Sequence, residues 1–174
     1  MKQDVDVGVL YRGAREQLSE LVRTLSESQL ATPVPSCPGW TVHGVVSHLA
    51  GIATDAVSGR LGGIPTDEHT AQQVADRAGT NTNVVLREWE RSASQFEIVL
   101  SRAGNTFLPP VLDVTVHEHD IRGALELPAH RQGEVIDVHA APLGIQQVQD
   151  GRFDDALATL LGDWRDEAAP RLAC

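Results

Sequence analysis

The chain has 174 residues, 41% of them hydrophobic and 22% charged. That describes a soluble globular sequence long enough for one domain with its own core, and it excludes a disordered chain. Fourteen Lys and Arg against 24 Asp and Glu leave a net charge of −10, which repels phosphate backbones and anionic lipid, so neither nucleic acid nor a membrane is an expected partner. No apolar run approaches the roughly 18 residues that span a bilayer. The N-terminus MKQDVDVG lacks an apolar signal core, and the expected location is cytoplasmic. Cys37 and Cys174, the two cysteines, have neither zinc-ligand spacing nor the number for a disulfide framework, and both read as free thiols.

From about Val9 to Ser28, Leu10, Ala14, Leu18, Leu21, Val22 and Leu25 recur at steps of three and four, which predicts a long amphipathic helix with Arg12, Arg15, Glu16, Glu20 and Arg23 on its polar face. Pro33, Pro35 and Pro38 then rule out helix and make Thr32 to Trp40 a fixed connection. Thr41 is placed to cap a second helix over about Val42–Arg60, with Val42, Val45, Leu49, Ile52, Ala53 and Ala56 as its stripe. His48 falls on the core side of that stripe, and a buried imidazole needs a partner. The Gly-rich, polar stretch from Gly62 to Gly79 reads as loop or broken helix. A third helix follows over Asn81–Ala103, with Val85, Trp89, Ala93, Phe96 and Leu100 inward.

Pro109-Pro110 opens a fourth helix, which Pro128 stops. An irregular piece with an extended segment near Gly133–Val138 leads to a last helix near Asp154–Ala169. There is little period-two alternation. The expectation is an all-α single domain over 1–174, with a core of about 8–127 and a C-terminal extension over 128–174.

On the fourth helix Asp113 and His117 are four residues apart, about 6 Å of rise and roughly one turn, so both side chains leave one face. A divalent cation bound by protein normally takes three or more side chains and, where it is catalytic, keeps a position open for water. His48 is the best third candidate. Duller readings stand beside this one: His48 as a hydrogen-bonded core histidine, and Asp113 with His117 as a surface pair worth a few tenths of a kcal/mol. Asp120 shares the side of His117 and either orients a ligand or pairs with Arg122. Asp55 is either a supporting group or polar rim. Trp40 reads as a core anchor rather than a stacking residue. His43, His69, His119, His130 and His139 read as solvated.

Ser36-Cys37-Pro38-Gly39-Trp40-Thr41-Val42, then Val45-Val46-Ser47-His48-Leu49-Ala50-Gly51, Thr70 to Ala75, Glu88-Trp89 and His117-x-x-Asp120-Ile121 resemble the mycothiol-dependent maleylpyruvate isomerase family, specifically its N-terminal metal-binding domain with a DinB-like four-helix bundle. The resemblance implies a divalent metal, zinc first, with nickel, iron or manganese also suited to the donors, held by His48, Asp113 and His117. Asp113 departs from the family's Glu, and restoring Glu there is expected to bind metal equally or more tightly. Gly44 stands where an acidic capping-box residue is common, which weakens the helix start. The residues after Leu127 are too few for the second domain of full-length isomerases.

A thiol on such a cation is deprotonated, and the thiolate is the nucleophile. By the resemblance, mycothiol would add to a small electrophile. Addition, rotation and expulsion make an isomerase; a retained adduct makes an S-transferase. The other class of function is a non-enzymatic metal-binding module, a sensor or binding protein. Pairing of two chains through a helix face is an expectation that a small bundle permits.

Overall fold

A computed structural model describes residues 6–63, 65–103 and 108–128. The extension over 129–174, including the expected segments at Gly133–Val138 and Asp154–Ala169, lies outside them. Six helices occur among the described residues: α1 (Val7–Arg23), α2 (Glu27–Leu30), α3 (Val42–Val57), α4 (Asp67–Arg77), α5 (Thr82–Ala103) and α6 (Pro109–Ala124). The fold is all-α, a DinB-like bundle. Its four long helices form a closed circuit in which α3 packs on α5, α5 on α1, α1 on α6, and α6 back on α3. The α3–α6 side is the sparsest of the four.

The apolar stripes meet inside this circuit. Trp89 of α5 is fully buried, and its Nε1–H donates to Tyr11 Oη of α1 at 2.8 Å. Tyr11 also stands edge-on to Phe96, with centroids 5.2 Å apart. The two polar tips satisfy each other, as burial of Trp and Tyr requires.

Three expectations need correction. The first helix does not run to Ser28: Ser26 starts a separate short turn, accepting from Gln29 N–H at 3.3 Å while Gln29 Oε1 accepts from Ser26 N–H at 3.0 Å. That reciprocal capping box outcompetes continuation of α1. Arg15 is not on a solvated face. It is buried with Glu97 of α5, Nη2 to Oε1 at 3.4 Å, because α1 packs against α5 on one side and α6 on the other. Thirdly, the polar stretch after Gly62 contains α4, a regular helix capped by Thr66.

The Gly44 departure has a packing reason. A Cβ there would come within 3.3 Å of Trp40 Cβ and 3.4 Å of a Val74 methyl carbon. Thr41 still caps α3, accepting from Gly44 N–H at 3.2 Å.

Candidate metal centre

His48 comes from the second turn of α3, and Asp113 and His117 from successive turns of α6. Packing of α3 on α6 brings them together, with one donor atom from each residue lying within 4.8 Å of the others. His48 Nε2 is 3.5 Å from Asp113 Oδ2, and His117 Nε2 is 3.4 Å from Asp113 Oδ1. The two imidazole rings stand edge to face, 5.5 Å between centroids. Metal–nitrogen and metal–oxygen bonds of about 2.0–2.2 Å in a tetrahedral sphere put neighbouring donors about 3.3–3.6 Å apart. The two nitrogen–oxygen separations, one to each Asp113 oxygen, are of that length.

The far nitrogens explain why the near ones point inward. His117 Nδ1 lies 3.2 Å from Asp120 Oδ2, and His48 Nδ1 lies 3.0 Å from Gln73 Oε1. Both partners accept, so each Nδ1 carries a proton and donates it. When the rings are neutral, each Nε2 then presents its lone pair to the Asp113 carboxylate. Three acceptors converging in a buried space repel one another unless a proton or a cation lies among them.

The acid–base balance follows the same geometry. Burial disfavours the charged form of Asp113, but the hydrogen bond and charge of His48, with the charge of His117, outweigh it and hold the carboxyl below its usual value. Burial likewise works against charging His117. The Asp120 hydrogen bond and the charges of Asp113 and Asp120 prevail and raise it.

Asp120 therefore orients His117, while Arg122 bonds Glu118 Oε1 at 2.8 Å instead, which decides between the two sequence readings. Asp55 is buried, not rim. His43 and His69 are not solvated: Thr82 Oγ1 donates to His43 Nδ1 at 2.8 Å, its Nε2–H donates to Arg77 O at 3.1 Å, and His69 Nε2–H donates to Asp55 Oδ2 at 2.7 Å. His119, half-buried, belongs to neither candidate cluster; His130 and His139 lie outside the described residues. Trp40 is half-buried rather than a core anchor, with its ring 5.2 Å from that of His48 and tilted by 40°. Gln73 is the residue that sequence reasoning missed, since nothing within one helix signals a contact made from another.

Cys37 is disulfide-bonded, which corrects its reading as a free thiol; its partner lies outside the described residues. Its Sγ sits 3.8 Å from His117 Nδ1 and 4.0 Å from Asp120 Oδ2, so Cys37, His117 and Asp120 form a second cluster of potential donors. A disulfide sulfur is no thiolate ligand, and His117 Nδ1 already carries a proton. That cluster does not hold a cation in this state.

The family model described as the mycothiol maleylpyruvate isomerase N-terminal domain matches residues 11–106, just over half of the chain. His48 lies inside the match; Asp113 and His117 lie beyond it. No curated protein and no solved structure matches the chain. No helix among the described residues is long and apolar enough to cross a membrane.

Proposed function

Because the chain belongs to the mycothiol maleylpyruvate isomerase N-terminal domain family, we propose that it is a divalent-metal-dependent enzyme of thiol chemistry, an isomerase or S-transferase that brings mycothiol to a small electrophilic substrate. The observation that supports it is the convergence of His48 Nε2, His117 Nε2 and both Asp113 oxygens at coordination-edge distances. His48, Asp113 and His117 are the ligands, and zinc suits two imidazoles and a carboxylate best in a small buried site, with nickel, iron and manganese as the competing metals. When bound, such a cation supplies Lewis acidity and lowers the pKa of a thiol placed at its open position.

The protein's residues do the rest. Asp113 supplies the negative charge that holds the cation. Asp120 and Gln73 keep the two imidazoles in the tautomer that offers Nε2. The Trp40 ring stands beside the His48 ring, with centroids 5.2 Å apart. A mycothiol-using enzyme belongs in the cytoplasm.

The test is elemental analysis of protein purified without chelator or histidine tag, followed by consumption of mycothiol in the presence of a model electrophile. About one ion per chain with turnover supports the enzyme. One ion without turnover would turn the reading to the binding module, and no ion would overturn the metal site.

A further inference from the structure

α4 lacks the apolar stripe that normally docks a helix: its single buried residue is Gln73. It is held to the bundle by polar contacts, His69 and Gln73 to Asp55 of α3 and Arg77 to Glu88 of α5. A helix placed by its polar groups invites the question of what those groups do. We infer that Gln73, backed by Asp55, is a positioning residue that locks His48 in its Nδ1–H form and so turns Nε2 toward Asp113. The purpose of the lock rests on the metal reading above, but its geometry does not.

The relay starts at Asp55. Its Oδ1 accepts from Arg60 Nε at 2.9 Å and Nη2 at 2.6 Å, and its Oδ2 accepts from His69 Nε2 and Gln73 Nε2, each at 2.7 Å. Burial would raise this carboxyl, but the hydrogen bonds from Gln73, His69 and Arg60 prevail and hold it below its usual value. An ionised carboxylate only accepts, so the Gln73 amide must turn its NH2 to Asp55 and its Oε1 to His48. The reverse orientation would set Oε1 against Oδ2. Facing Oε1 at 3.0 Å, His48 Nδ1 must be the donor.

The backbone is shaped for this relay. His48, Gly51 and Asp55 fall at i, i+3 and i+7 on one face of α3, and Gln73 lies across the gap at Gly51. A Cβ on Gly51 would come within 2.8 Å of both Cβ and Cγ of Gln73. An interior glycine weakens a helix by about 1 kcal/mol relative to alanine, and here it makes room for the amide. An amide also carries orientation without charge. A carboxylate at 73 would oppose Asp55 and add negative charge behind the ligand.

Full-length metal-free protein labelled with 15N-histidine, at a pH where the imidazoles are neutral, reads the lock directly through long-range proton–nitrogen correlation. His48 is expected as Nδ1–H in the parent and shifted to Nε2–H in Gln73→Leu. Zinc affinity, measured against a chromophoric chelator, is expected to fall at least about tenfold in that variant. Should Gln73→Leu not fold, Asp55→Asn serves, because its NH2 lets the Gln73 amide turn and produces the same tautomer change. An Nε2–H His48 in the metal-free parent, or a variant with the parent's tautomer and affinity, would overturn the relay. A parent with Nδ1–H His48 that takes up no zinc sustains the relay and overturns the metal reading instead.

Discussion

Both His48 and His117 turn Nε2 toward Asp113, yet they are braced by different means. Behind His117 stands Asp120, one turn further along the same helix, a carboxylate at 3.2 Å that supplies negative charge as well as an acceptor. Behind His48 stands Gln73, brought from another helix, a neutral amide whose direction is set by Asp55 beyond it. One brace is a local consequence of helical spacing; the other needs α4, Gly51, Arg60 and His69 in place. The charged brace makes its imidazole more basic, whereas the neutral one aims its imidazole through a single acceptor.

Removing the group that both arms serve should have the largest effect. Asp113→Ala is expected to abolish stoichiometric metal binding, as read by elemental analysis, and retention of one ion per chain would remove the site from consideration. Next come the braces. Asp120→Asn is expected to lower zinc affinity by about 10–100-fold, and more than Gln73→Leu does, because it removes charge as well as orientation. The two substitutions share no partner, so their effects on log affinity are expected to add in the double variant. A clearly smaller combined effect would show that the arms are one unit.

A pH titration separates the arms by charge. His117 has a raised pKa, so its contribution to metal-free stability is whole below its ordinary value of 6.5 and is lost as pH rises through the higher folded value. Asp113 and Asp55 have lowered values. Their contributions are present above the ordinary 3.8 and are lost as pH falls through the lower folded values. The Tm of chelator-treated protein is therefore expected to decline on the alkaline side. Zinc, taking the place of the proton, should raise Tm most there; equal stabilisation at pH 6 and pH 8 would contradict this.

The smallest effects fall at the outer end of the relay and in ligand length. Arg60 is 59% exposed on its side chain, so Arg60→Ala is expected to cost less than about 1 kcal/mol in denaturant unfolding. Of the equal or tighter binding expected from the sequence for Asp113→Glu, the equal outcome is the one the geometry favours, since each Asp113 oxygen already stands at a donor–donor distance from one imidazole. Markedly tighter binding by the Glu variant would show that the aspartate is short for this site.

The main helices and the site's local half were legible in the sequence. Asp113, His117 and Asp120 follow one another at successive helical turns, a geometry the peptide backbone imposes wherever helix forms. The apolar steps of α3 turned His48 inward in the same way. α4 was missed because its pattern is polar and its one buried residue is a glutamine. Arg15 was misplaced because a charged residue reads as exposed until a buried Glu97 is set beside it.

By itself, then, the sequence determined an all-α chain with an imidazole on one inward face and an imidazole–carboxylate pair on another. Helical periodicity decides such things residue by residue. Tertiary packing alone decided that α3 lies beside α6, so that the two faces share one carboxylate, and that a glutamine crosses a glycine to aim His48. Contacts between helices depend on which stripes pack together, and no spacing within a single helix encodes them.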